Sequence, residues 1–214
     1  MLFPIETFTD TMPEAADRLR ERRDAAEHRQ RVLATAARLF AERGVHAVTM
    51  DEIARAAGVG KGTLYRRYAH KGLLCMAVMD ACWRHFQDQA VDELARNADH
   101  LSPLARLDLF LGRLVNWIEE HVDWLGVIAD AAGEQPGTVC RGPIFQWTHQ
   151  VVTSLLDQAI RRGEATIDDP IYIADVLLAA LDVDLYAYQR HARGYTPEQI
   201  HRGLSRIVDG LRAR

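Results

Sequence analysis

From residue 29 almost to the C-terminus, apolar residues recur at intervals of three and four. No run alternates apolar with polar as a half-buried strand must. That pattern confines the chain to an all-α architecture, and its start and stop signals divide it into about nine helices. The first firm helix spans about 29–43, with Val32, Leu33, Ala36, Leu39 and Phe40 on one side and Gly44 as its stop. Thr49 caps a short second helix, with Glu52 completing a capping box and Ile53 and Ala57 facing inward. After Gly58-Val59-Gly60 a third short helix runs over about 61–68. A long helix over 71–97 follows, its buried stripe read as Leu74, Val78, Ala81 and Cys82. Ser102-Pro103 opens a helix to about His121, and Asp123 begins a shorter one through Ala132. Residues 133–143 read as a loop, 144–162 as a helix, 170–192 as another, and Thr196-Pro197-Glu198 opens the last. Residues 1–28 read as a disordered or partly helical extension, 29–70 as a small head, and 71–214 as a larger helical domain.

The chain's net charge of −4 argues at first against a polyanionic partner. Its distribution argues the other way. Residues 29–71 hold nine Lys and Arg against three acids, a formal +6, whereas residues 72–214 hold 13 Arg against 20 acids, a formal −7. A basic head on an acidic body attracts phosphates at one end only. No apolar run reaches the ~18 residues of a spanning helix, and the first residues lack the basic start and apolar stretch of a secretory signal. With three cysteines, Cys75, Cys82 and Cys140, a cytoplasmic protein with reduced thiols is expected.

Three short helices with a glycine turn between the second and third make a helix-turn-helix. Ala54 is small where two helices cross, Gly58 suits a positive-φ turn, and Val59 and Leu64 pin the third helix to the second. The rest of the third helix is cationic and polar. Lys61 and Thr63 sit at its start, where a recognition helix meets base edges and phosphates; Tyr65 offers a hydroxyl, Arg66 a fork for guanine, and Arg67 a phosphate contact. Gly58-Val59-Gly60-Lys61-Gly62-Thr63 superficially suggests a nucleotide loop, but Gly62 stands where Ser or Thr must follow the lysine and no strand precedes it.

The segment TMDEIARAAGVGKGTLYRRYAHKGLL (Thr49–Leu74), with RVLATAARLFAERG before it, resembles the DNA-binding segment of the tetracycline-repressor (TetR) family. The resemblance covers about 45 residues. It implies DNA contacts from Thr49, Lys61, Gly62, Thr63, Tyr65, Arg66, Arg67 and Lys71, with Tyr68 mainly packing. It also implies a homodimer through the last two helices and a ligand cavity among the middle ones. The aromatic-rich middle, Trp83, Phe86, Phe110, Trp117, Trp124, Phe145 and Trp147 with His149, fits an apolar or aromatic effector, although aromatics at helical spacing also serve as plain core. In the helix expected over 170–192, apolar residues cover most of the circumference, so burial on both sides is expected.

The function expected is therefore a DNA-binding transcriptional regulator: a repressor released from a palindromic operator in double-stranded DNA by a small molecule. The alternative is an effector-independent regulator or activator. An enzyme reading finds no nucleophile elbow, zinc motif or paired Cys-His signature. Cys82 and His85 are at most half a metal site, so neither metal nor cofactor is expected. No membrane partner is expected either.

Overall fold

The computed structural model describes residues 12–132 and 142–213. Cys140, nearly all of the loop expected over 133–143 and the first eleven residues of the extension lie outside them. The described residues form nine helices: α1 (Met12–Arg43), α2 (Met50–Ala56), α3 (Lys61–Arg67), α4 (Lys71–Arg96), α5 (Pro103–Ala132), α6 (Pro143–Arg161), α7 (Pro170–Ala179), α8 (Val183–His191) and α9 (Pro197–Asp209). The chain divides into two compact units, Met1–His70 and Lys71–Arg214.

The N-terminal unit closes on side chains that local signals put in place. Val32, Ala36, Leu39 and Phe40 of α1 are buried with Val45, Val48, Ile53, Ala54, Ala57 and Leu64. Gly44 ends α1 at φ +79°, and Gly58 turns the chain after α2 at φ +66°, both in the left-handed region where a side chain is strained. The α2 cap is the expected box: Glu52 N donates to Thr49 Oγ1 at 3.2 Å, and Thr49 N donates to Glu52 Oε2 at 2.8 Å. One boundary differs. The helix expected from 29 begins at Met12, because residues 14–28 are strong helix formers and no breaker separates them from the amphipathic stretch.

In the larger unit α5 is central, packing against α4, α6, α8 and α9. Two expectations need correction here. The break expected before Asp123 does not exist: α5 is one helix of 30 residues. No glycine or proline stands between Gly112 and Asp123, and Trp117, Ile118, Leu125 and Val127 continue the buried pattern across it. The helix expected over 170–192 is two helices instead. Asp182 caps α8, its carboxylate accepting from Asp184 N at 3.1 Å and Leu185 N at 3.3 Å. Within α4 the buried stripe is Leu74, Cys75, Met79, Trp83, Phe86 and Ala90; Ala81 and Cys82 are exposed, because the bulky side chains set the inward face.

The start of α5 is held from a distance. Ser102 Oγ accepts from Ala105 N at 3.3 Å and donates to Glu164, whose other oxygen accepts from Leu104 N at 3.2 Å. Glu164 also pairs with Arg212 at 2.8 Å, and Ala213 N donates to Glu164 O at 2.9 Å, which ties the chain's end to the α6–α7 connection. Across α5 and α9, a Cβ on Gly112 would lie 2.7 Å from the His201 ring, so the glycine permits the close approach.

Candidate nucleic-acid interface and aromatic core

Only two side chains of the α3 segment turn inward: Leu64, 2% exposed, and Tyr68, 6% exposed. Lys61, Gly62, Thr63, Tyr65, Arg66 and Arg67 are all exposed. Among the described residues, Tyr65 and Arg66 have no hydrogen-bond or ion-pair partner, so their polar groups are unspent. Lys61 pairs with Asp51 of α2, and Arg67 Nη1 donates to Ala25 O of α1 at 3.4 Å. Both contacts are solvent-exposed and weak enough for a phosphate to displace.

The two ends of the helix pair differ. Glu52 and Thr49 box the start of α2, and Arg43 adds a 2.9 Å ion pair to Glu52. Hydrogen bonds from the Thr49 backbone and hydroxyl, then from Arg43, hold the Glu52 carboxyl down at about 2. Both Thr49 donors are thus committed to Glu52 in this state. By contrast Gly60, the cap of α3, supplies no side-chain hydrogen bond, so the Lys61 and Gly62 amides have no capping side chain, while Thr63 N donates to Gly60 O at 3.0 Å. A Cβ on Gly62 would meet nothing within 4 Å, so nothing among the described residues requires glycine there. Lys71, also assigned to the phosphate backbone from the sequence, opens α4 in the larger unit.

The eight ligand-assigned side chains separate into groups. Trp83, Phe86, Phe110, Trp117 and Trp147 form one ring-on-ring cluster, with Trp83–Trp117 at 4.9 Å, Trp83–Trp147 at 5.4 Å and Phe110–Trp147 at 5.9 Å between centroids. Phe145 and His149 stack on each other at 5.7 Å, and His149 Nε2 lies 3.2 Å from Asp175 Oδ1. Trp124 packs partly buried against the core. Sequence reasoning missed two features. A cavity of about 610 Å³ opens along α5 and α9, lined by Asp108, Gly112, Arg113, Glu198, His201 and Arg212 among others. Arg106 is buried at 6% exposure, and the available signal was its position on the Phe110–Trp117 stripe of α5.

A half-buried polar group does structural work. Glu119 takes a two-pronged contact from Arg190 at 2.6 and 2.7 Å and accepts from the Tyr186 hydroxyl at 2.8 Å, which locks α8 to α5. Among the described residues no cluster of three His, Cys, Asp or Glu could hold a metal, and no helix is long and apolar enough to cross a membrane.

The model of the family of bacterial regulatory proteins, tetR family, matches residues 32–77. An HTH-type transcriptional regulator of Staphylococcus aureus is 47% identical over 193 residues, covering 87% of this chain and 95% of its own. Two solved structures share the fold. One is Thermus thermophilus FadR, a TetR-family repressor solved with lauroyl-CoA (TM-score 0.68, 18% identity, 87% of this chain and 96% of that one). The other is AibR, solved with isovaleryl coenzyme A and operator DNA (TM-score 0.53, 24% identity, 84% and 97%).

Proposed function

The chain belongs to the TetR family of bacterial transcriptional regulators, and from that premise we propose that it is a dimeric repressor released from its operator by a small molecule. The observation that carries the reading is the surface of α3. Six of its seven residues are exposed, and only Leu64 is spent on packing. That is the shape of a helix that lies in a major groove.

In this reading Arg66 reads a base edge through its fork, Lys61 a base edge or phosphate beside it, and Thr63, Tyr65, Arg67 and Lys71 grip phosphates. Thr49 contacts the backbone after giving up one of its bonds to Glu52. The effector parts the aromatic cluster of Trp83, Phe86, Phe110, Trp117 and Trp147, with Trp124, Phe145 and His149 as outer contacts. Its binding favours a conformer whose two recognition helices no longer match successive major grooves. The acyl-CoA ligands of FadR and AibR, and AibR's operator DNA, support a ligand-gated DNA binder. The ring-on-ring packing favours the second reading, an effector-independent regulator or activator.

Mobility shift with DNA from the chain's own promoter region is the test. Wild type should retard a specific fragment at low salt; no retardation of any genomic fragment would reject DNA-binding regulation. Lys71→Ala should weaken all sequences alike, whereas Arg66→Ala should also relax preference at one base pair by about 1–3 kcal/mol. Equal scaling of every sequence by both variants would remove Arg66 from the base-reading role.

A further inference from the structure

Arg106 is a buried guanidinium without an ion pair among the described residues. Its Nη1 donates to Leu94 O of α4 at 3.5 Å, its Nη2 donates to Gln158 of α6, and its Nε has no partner. A buried charge facing only neutral acceptors is left under-compensated. Among the described residues of the larger unit one other buried side-chain polar atom is unpartnered, Nε1 of Trp117. Both are donors; among the described residues of this unit no buried side-chain acceptor is left open. An occupant that satisfies them brings acceptors and no donors.

The two donors share a setting. Trp83 and Leu94 on α4, Trp117 and Arg106 on α5, and Trp147 and Gln158 on α6 are each eleven residues apart, or three helical turns. Trp83 meets Trp117 and Trp147, while Leu94 and Gln158 meet Arg106, so α4 and α6 both run antiparallel to α5. Three helices thus present an aromatic end and a cationic end, ~16 Å apart along α5.

We infer that the effector is an amphipathic anion, its carboxylate or phosphate head paired with Arg106 and its apolar body lying among the aromatic rings. The inference rests on the effector-released reading above and supplies that effector's chemical class. A guanidinium fork matches a planar carboxylate or a phosphate in two-pronged fashion. A neutral or cationic ligand would leave Arg106 as it stands, or repel it.

The test uses the full chain and four probes with one tail, kept below their micelle concentrations: dodecanoate, dodecyl phosphate, dodecan-1-ol and dodecyltrimethylammonium. Quenching of tryptophan emission reads binding without DNA. Either anion, or both, should bind at least about tenfold more tightly than the alcohol, with the cation weakest; which anion leads separates a carboxylate effector from a phosphate one. Arg106→Gln should lose about 30-fold or more in affinity for the better anion and leave the alcohol unchanged; Arg106→Lys should fall between, because it keeps the charge and loses the fork. If Arg106→Gln does not fold, the four-probe order on wild type still decides. Alcohol or cation binding as tightly as both anions, or no quenching by any probe, overturns the assignment. Mobility shift on the same preparation separates the two readings. Anion-selective binding without operator release keeps this inference and removes the release mechanism; release by alcohol and cation as readily as by anion does the reverse.

Discussion

Gly62 has no structural reason to be glycine. It lies in the first turn of α3 with ordinary helical φ, and open space surrounds its missing side chain. Glycine in a helix has excess backbone freedom when unfolded, so Gly62→Ala should stabilise the chain by about 0.4–1 kcal/mol. If the bare backbone at this point is what lets DNA approach the start of α3, the same change should weaken operator binding. Thermal unfolding and mobility shift on one preparation check both halves. A more stable variant that binds as well as wild type would show that the glycine serves neither packing nor DNA. Neighbouring positions carry the complementary chemistry. Lys61 rests against Asp51, a pair that costs little to break, and the Arg66 guanidinium is already free for a base edge.

At the level of elements, the start of α2 is fastened by a charged capping box. Glu52 accepts from Thr49 twice and from Arg43 once, which holds its carboxyl near 2 against the usual 4.5. A carboxyl lowered in the folded state stabilises fully above its unfolded value, and that contribution fades as pH falls from about 4.5 through 2. Gln keeps the capping geometry and removes only the charge. The melting temperature of Glu52→Gln should therefore lie below wild type near pH 6, and the gap should close by about pH 2. A gap independent of pH would mean that the carboxylate charge contributes nothing. This cap was legible in the sequence because a cap is local: Thr49 and Glu52 are three residues apart, and Gly58 follows within the same turn pair. Boundaries in the larger unit were less legible. Nothing local marks Asp182 as a cap rather than a polar interruption of an apolar face, nor Asp123 as the reverse. Glu164 holds the start of α5 from 60 residues away, beyond the reach of any short-range pattern. Arg106 was legible only as a position on the Phe110–Trp117 stripe; the partners that accept its hydrogen bonds, Leu94 and Gln158, lie on other helices. The helix count came out at nine only because one expected break was absent and one unexpected break was present.

For the molecule as a whole, the remaining question is what covers the C-terminal helices. Seven of the ten exposed large apolar side chains among the described residues follow residue 170: Ile171, Tyr172 and Val176 on α7, Leu185 and Tyr188 on α8, Tyr195 before α9 and Ile207 on it. The sequence suggested that the stretch over 170–192 is apolar around most of its circumference. Within one chain only part is buried, through Ala174, Leu177, Leu178 and Leu181, and the outward part stays exposed. A second copy suits that surface, because an isologous interface also supplies the twofold symmetry a palindromic operator demands. Dimerisation matters energetically as well. One head carries a formal +6 over residues 29–71 while residues 72–214 carry −7, so a single α3 must hold DNA against the repulsion of its own body. Two linked heads turn the second docking into an intramolecular event, which multiplies affinity by roughly 10²–10⁴. Leu185→Glu adds a charge at an exposed position of α8, where it disturbs no buried packing of the single chain. It should leave helix content and melting of the monomer intact, shift the sedimenting species from dimer to monomer, and lower operator affinity by about 100-fold or more. A variant that remains dimeric and binds normally would move the dimer contact away from α8 to another surface of the unit.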